Sequence, residues 1–396
     1  MRILFLTDVY FPRVNGVSTS INTFRSDLGA AGIETVLVAP AYGASGEADD
    51  PSVIRVAASR VPRDPEDRRM RWGALCAALE PLESQRFDLV HIQTPFLAHY
   101  AGVRYARRTG VPVLATYHTF FEEYLHHYVP MLPRSLGRGL ARRFTRSQCA
   151  ALSAIVAPSE PMRQLLKAYG VGARIEVIPT GLPADRYVRG DGARFRRQFG
   201  IPLDRPLLLY VGRVAHEKNI EFLLHSYVAL RRLRPDALFA IAGEGPARGH
   251  LQTLAHELGV AQSLYFIGYL ERERTLADCY AAGDVFVFAS RTETQGLVLL
   301  EALAQGRPVV STAVLGTTSI LQPGCGARVA PEKVDAFALT VADILNDPQR
   351  AARLSAQALE YAQGWASAHM SWRLAKLYRE LKHPSAATAT VAAAHG

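Results

Sequence analysis

Short β-branched and leucine-rich runs alternate with segments of helical period through most of this 396-residue chain. In the first half the strand candidates are Ile3–Leu6, Thr35–Val38, Leu89–Ile92, Val113–Thr116, Ala154–Val156 and Glu176–Ile178. In the second half they are Leu207–Val211, Leu238–Ile241, Leu264–Ile267, Val285–Phe288 and Pro308–Val310. Continuously apolar strands must be covered on both faces, and helices between them are the crossovers that make a sheet parallel. The pattern predicts an α/β chain with two doubly wound, Rossmann-like parallel-sheet domains. The chain is also longer than one core ordinarily supports. The boundary is expected in Pro179-Thr180-Gly181-Leu182-Pro183, where glycine and proline stop regular structure. The expected division is 1–182, 183–364, a helix over 365–382 that packs back across the cleft, and a low-complexity tail over 383–396 that is disordered.

The net charge of +9 favours an acidic partner, whether nucleotide, anionic membrane or nucleic acid. Cys76, Cys149, Cys279 and Cys325 are scattered without ligand spacing, which suggests free thiols in a reducing cytoplasm rather than zinc or disulfides. The opening Met1–Thr7 run is interrupted by Asp8, so it reads as a buried strand and not a signal peptide. No run approaches the ~20 apolar residues of a membrane span. Membrane contact, if any, is expected to be peripheral.

Open α/β sheets bind ligands at the carboxyl ends of their strands. The first strand leads to Phe11-Pro12-Arg13-Val14-Asn15-Gly16-Val17-Ser18, where Gly16 permits close backbone approach to a phosphate or acceptor. Leu207–Val211 leads into Gly212-Arg213-Val214-Ala215-His216-Glu217-Lys218-Asn219. Arg213 can fork two phosphate oxygens and Lys218 adds a point charge. The next strand ends in Gly243-Glu244-Gly245. Glu293 and Glu301 are eight positions apart, one before Gly296 and the other near the second turn of the apolar helix that this glycine opens. An anion docked at that helix N-terminus would bring its attached hydroxyls within reach of both carboxylates. Such geometry suits a sugar nucleotide.

These pieces, in this order and spacing, resemble the retaining glycosyltransferases of family 4, with the two-domain GT-B architecture whose domains face a cleft. The resemblance implies that Arg213 and Lys218 hold the donor diphosphate and that Glu301 binds the ribose hydroxyls. It places Glu293 near the donor hexose with the amides around Thr294, Gln295, Gly296 and Leu297, and it assigns Gly16, Gly243, Glu244 and Gly245 to the donor site. His118 follows strand Val113–Thr116, and family members that glycosylate lipids place a histidine there against the sugar. No Asp-x-Asp metal motif is evident in the expected loop context, and the resemblance implies no essential metal and no permanently bound cofactor. It also implies front-face attack, in which the leaving phosphate accepts the acceptor's proton.

The stretch Phe120-Phe121-Glu122-Glu123-Tyr124-Leu125-His126-His127-Tyr128 is unusually aromatic. After it, Arg134, Arg138, Arg142 and Arg146 form a helical stripe opposite Leu136, Leu140 and Phe144. The leucine stripe is expected to pack on the sheet, and the arginines either solvate the outer face or dock on anionic lipid. The run Tyr117-His118-Thr119-Phe120-Phe121-Glu122-Glu123-Tyr124 resembles diacylglycerol glycosyltransferases. The expected partners are therefore a nucleotide sugar, with UDP-glucose favoured over UDP-galactose and GDP-mannose, and a lipid or lipid-linked acceptor. The expected location is the cytoplasm, peripheral at the inner face of the cell membrane. A transferase acting on polyprenyl-linked or lipopolysaccharide sugars would share the donor site. A sugar-nucleotide 2-epimerase would need no acceptor, against which Glu293 and Glu301 with Arg213 and Lys218 speak. A nucleic-acid-binding module is disfavoured, because no aromatic base-stacking strand motif is present.

Overall fold

The computed structural model describes residues 1–43, 50–61, 64–118, 134–270 and 275–383, without the side chains of residues 64, 65, 134–136 and 138. The chain divides into two compact units, Met1–Gly181 with Ser367–Gly396, and Leu182–Ala366. In the first unit the strands are β1 (Arg2–Leu6), β2 (Glu34–Pro40), β3 (Val53–Val56), β4 (Ala58–Val61), β5 (Asp64–Met70), β6 (Leu89–Ile92), β7 (Val113–Thr116), β8 (Ala154–Ala157) and β9 (Arg174–Val177). Its main sheet runs β3-β2-β1-β6-β7-β8-β9, with every pairing parallel, while β4 and β5 form a separate antiparallel pair.

The second unit contains β10 (Leu207–Val211), β11 (Leu238–Ala242), β12 (Leu264–Gly268), β13 (Val285–Phe288), β14 (Val309–Ser311) and β15 (Ala327–Val329), in the order β12-β11-β10-β13-β14-β15 and all parallel. Both sheets grow outward from their first strand in two directions. Each therefore has a point, beside β1 or β10, where the crossovers reverse, which is the position open α/β sheets offer to ligands. The central strands β10, β11 and β13 are buried at every residue. Polar function is thereby confined to their ends.

Helix α1 (Gly16–Ala30) starts at a capping box in which the Asn15 side chain accepts from Ser18 N and Ser18 Oγ accepts from Asn15 N, each at 2.9 Å. The next described helices are α2 (Trp72–Leu79), α3 (Leu97–Thr109) and α4 (Arg134–Cys149). The final helix, Ser367–Lys382, belongs to the first unit. Its Ser371 hydroxyl donates to Asp27, Arg373 donates to the Val177 carbonyl at 2.6 Å, and Tyr378 meets buried His91 Nδ1 at 2.6 Å. The other ring nitrogen of His91 lies 2.7 Å from Thr116 Oγ1. Both polar ends of an imidazole that sees no water are thus satisfied.

Several local expectations are corrected. β3, the β4–β5 pair and β15 carry no continuous apolar run, because they lie at sheet edges or outside the main sheets and need little burial. The last strand of the first unit is Arg174–Val177 rather than Glu176–Ile178, and Arg174 bonds Glu176 and Glu380 along that edge. β14 starts after Pro308, which has no N–H to give the ladder. The leucine stripe of α4 is not its packed face: Leu140 is 48% exposed and Phe144 half-buried, while Ala141, Thr145, Gln148 and Cys149 are buried. The aromatic stretch 120–128 and the tail from 384 lie outside the described residues.

Burial holds His99 and His118 at pKa values of about 4 and pushes His91 well below its ordinary value, with His118 a lesser cause. Between about pH 6.5 and pH 4 the unfolded chain binds protons that these folded imidazoles refuse, so acidification removes stability. Asp8 opposes this, since burial raises its carboxyl to about 6 and the folded state then binds the extra proton between about pH 4 and pH 6. Three groups outweigh one, so the urea midpoint of the first unit, read by hydrogen exchange, should fall as pH drops from 6.5 to 4.5. His99→Phe should flatten the decline. A midpoint that rises over this range would contradict the assignment.

Candidate active site

In the second unit the loop after β10 is folded against the loop after β11. Gly212 N donates to the Ala242 carbonyl, and Val214 N to the Glu244 carbonyl, at 3.0 and 2.8 Å. The approach is so close that a Cβ on Gly243, whose φ is +136°, would lie 1.9 Å from the Gly212 oxygen. A Cβ on Gly245 would lie 2.3 Å from the Val214 oxygen. These two glycines are therefore required by backbone packing between strand-end loops, whatever they do for a ligand. Glu244, between them, forms an ion pair with Arg248 four residues on.

Arg213 and Lys218 are thus carried on a fixed loop. The Tyr210 hydroxyl donates to the Arg213 carbonyl at 3.0 Å, and burial, reinforced by the nearby carboxylates of Glu293 and Glu217, holds that phenol far above its ordinary pKa. Arg213 Nη1 stands 3.7 Å from Glu217. Lys218 closes a 3-10 turn, His216–Lys218, and its Nζ donates to Glu293 Oε1 at 2.5 Å. Two of the residues singled out from sequence, 75 positions apart, are therefore direct partners.

The segment after β13 is held from behind. Gly316 N donates to the Glu293 carbonyl at 2.9 Å, and a Cβ on Gly316 would strike the Thr294 carbonyl oxygen at 2.0 Å. Gln295 is buried, and Gly296, at φ +98°, caps the helix Leu297–Ala304. Glu301, in the second turn, is only 6% exposed, and its Oε2 accepts from the buried Tyr280 hydroxyl at 2.8 Å. A carboxylate so placed keeps its orientation through a charge-assisted bond of the kind worth about 1.5–3 kcal/mol.

The first unit contributes its own strand ends. Gly16 is exposed at the start of α1, with nothing within 4 Å of where its Cβ would be. His118 follows β7 and its Nε2 lies 3.1 Å from Gln93 Oε1 at the end of β6. Asp8, at the end of β1, takes Thr94 Oγ1 at 2.6 Å and the N–H of Ala98 in the first turn of α3 at 3.2 Å. Among the described residues no group of three or more His, Cys, Asp or Glu is arranged to hold a metal ion.

A glycosyltransferase family 4 model matches residues 14–186 and a glycosyl transferases group 1 model matches 191–361. An alpha-monoglucosyldiacylglycerol synthase of Streptococcus pneumoniae is 34% identical over 322 residues, 78% of this chain and 71% of that protein. The chain belongs to glycosyltransferase family 4. A synthase of the same description from Acholeplasma laidlawii is 26% identical over 78% of this glycosyltransferase and 80% of its own length. Among solved structures, a sucrose-phosphate synthase from Thermosynechococcus elongatus superposes with a TM-score of 0.81 at 22% identity, covering 97% of this chain and all of that one. The Anabaena protein HepE, solved with UDP and glucose, gives 0.76 at 17% identity, covering 95% and 99%. These structures share the GT-B fold.

Sequence reasoning about this glycosyltransferase missed Tyr280, Gly316, Gln93 and Asp8. Tyr280 carries no motif and reads as an ordinary core aromatic until the fold sets it on Glu301. Gln93 directly follows one strand candidate and Asp8 lies two residues past another, and that position was the signal available for them. The Gly243 geometry gives a direct test. Gly243→Ala must push apart two backbone segments and should cost at least about 2 kcal/mol of stability, measurable as a lowered denaturant midpoint. Gly16→Ala, with open space around it, should leave the midpoint within about 0.5 kcal/mol after allowance for helix propensity.

Proposed function

We propose that this glycosyltransferase moves a hexose, with retention at the anomeric carbon, from a nucleoside-diphosphate sugar to a hydroxyl of a membrane lipid of the diacylglycerol type, and that UDP-glucose is its donor. The observation that carries this reading is the 34% identity to an alpha-monoglucosyldiacylglycerol synthase across most of both chains. The chemistry of the second unit is consistent with it.

The difficult step is departure of a nucleoside diphosphate from the anomeric carbon. Arg213 and Lys218 bring two cations to the end of β10, and the Leu297–Ala304 helix adds the positive end of its dipole. Without substrate, Glu293 neutralises Lys218; an incoming diphosphate competes for the ammonium and leaves the Glu293 carboxylate beside the sugar. Glu301, aimed by Tyr280, accepts hydrogen bonds from the ribose hydroxyls. The backbone amides of the segment Thr294 to Leu297 face the donor, with the Gly243 to Gly245 loop closing the adjacent strand end. The cations supply at the leaving phosphate the stabilisation that a divalent ion supplies in other transferases, and the departing oxygen takes the acceptor's proton. His118, held neutral by burial, orients a sugar or acceptor hydroxyl rather than acting as a nucleophile.

Mass spectrometry of reactions with UDP- and GDP-hexoses and vesicles containing diacylglycerol should show a hexosylated lipid. Donor consumed without lipid product would place the acceptor elsewhere, and no donor consumption under any condition would sink the reading. Lys218→Ala should lower turnover by about 10²–10³ at saturating donor, the usual effect of deleting one preorganised donor at a developing charge.

The outer side of α4 supports peripheral docking on an anionic bilayer, at the inner face of the cell membrane. Arg142, Arg143 and Arg146 are exposed, and Leu140 stands among them. Arg142 also lies over the Tyr169 ring at 5.5 Å, so part of the stripe is anchored to the fold. Among the described residues no helix is long and apolar enough to cross a membrane. Replacing Arg138, Arg142 and Arg146 together by Gln should reduce co-sedimentation with anionic vesicles, at about 1 kcal/mol per charge, while donor binding persists. Unchanged sedimentation would assign the stripe to solvation alone.

A further inference from the structure

The carboxyl edge of the first sheet holds a polar group whose bonding is incomplete. Gln93 is 1% exposed, and its Nε2 has neither a hydrogen-bond partner nor contact with solvent. An unpaired buried donor costs about 1–3 kcal/mol. The amide is held at the strand ends by its other bonds. The Gln93 main-chain N–H is spent on the Leu6 carbonyl at 2.8 Å, its Oε1 is engaged by His118, and the next residue, Thr94, is clasped by Asp8 through both main chain and side chain. Three neighbouring strand ends, those of β1, β6 and β7, are thereby fixed around one unfilled donor.

The other half of the amide constrains His118. A carboxamide oxygen only accepts, so the 3.1 Å contact requires the proton of a neutral imidazole to sit on Nε2. Burial keeps that imidazole neutral near pH 7. Gln93 therefore has two separable functions available: selecting the His118 tautomer with its oxygen, and donating one hydrogen bond with its nitrogen.

Resting on glycosyl transfer as the reaction, we propose that Gln93 is a substrate-contacting and positioning residue, whose amide NH₂ donates to a hydroxyl oxygen of the sugar or of its acceptor while its carbonyl fixes His118 as the Nε2–H tautomer. Both candidate ligands present the same chemistry, an sp³ oxygen with lone pairs to accept, and kinetics distinguish them.

The first readout needs no substrate. Two-dimensional ¹H–¹⁵N spectra of the imidazoles in the full-length protein, with His118→Gln for assignment, should show His118 protonated at Nε2. Protonation at Nδ1 would overturn the proposal while leaving glycosyl transfer intact. In Gln93→Glu the acceptor toward His118 is kept and made anionic, so the His118 pKa and the acidic limb of the rate profile should both move up by about one unit or more. An unmoved limb in a folded variant overturns the positioning role. In Gln93→Met both bonds are lost at similar volume, and turnover should fall about tenfold or more. If the oxygen belongs to the donor sugar, Gln93→Met slows donor hydrolysis without lipid as well as transfer; if it belongs to the acceptor, hydrolysis is spared and transfer alone falls. Wild-type rates for both reactions in Gln93→Met would overturn the contact. Absence of turnover in the wild type would instead count against the glycosyl-transfer reading, since the tautomer measurement does not depend on it.

Discussion

Burial of parallel strands on both faces is the constraint from which the rest of this structure follows. A strand such as Leu207–Val211, with every residue buried, can carry a polar side chain only where a partner is built for it, as the Arg213 carbonyl is for the Tyr210 hydroxyl. Hydrogen-bonding chemistry is pushed to the strand ends, and the crossovers bring those ends to one edge. Arg213, Gly243 and the Glu293 segment in the second unit, and Asp8, Gln93 and His118 in the first, are all residues of such edges. His91 is the informative exception. It lies within β6, and the fold accommodates it by engaging both ring nitrogens, one with Thr116 and the other with Tyr378 of the final helix.

The same edge requires backbone to approach backbone. Loops after β10 and β11 exchange hydrogen bonds, and the glycines between them sit where a Cβ would overlap a carbonyl. Rigid main chain then carries flexible cations. Lys218 has a long side chain with considerable rotamer entropy to lose, and its contact with Glu293 restrains it. Glu301 shows the complementary arrangement: a short carboxylate, nearly buried, aimed by a tyrosine from the helix preceding β13. An electrostatic site assembled before its ligand arrives pays little reorganisation on binding.

Much of this was legible from residue order. The central strands were found almost residue for residue because alternation of apolar runs with helical segments is a direct consequence of two-sided burial. The strand-end motifs stood out because glycines, cations and carboxylates recurred there. Edge strands escaped, since Val53–Val56 and Ala327–Val329 bury little and so carry little pattern. The face of α4 was misjudged for a related reason: hydrophobicity pointed to Leu140 and Phe144, whereas the neighbouring elements admit the smaller Ala141 and Thr145. Periodicity identifies an amphipathic helix but does not say which side its neighbours can accommodate.

The sequence by itself determined the two parallel sheets, their approximate strands and the residue types gathered at the strand ends, because these depend on burial and chain connectivity, which are local in the chain. Tertiary structure alone decided the pairings: Lys218 with Glu293, Tyr280 with Glu301, Gln93 with His118, and Tyr378 with His91. Each joins residues from different strand ends or helices, separated by between 21 and 287 positions. No propensity or spacing rule reaches that far. Only the register of packed elements sets which polar atoms meet within hydrogen-bond distance, and with it how these side chains are oriented.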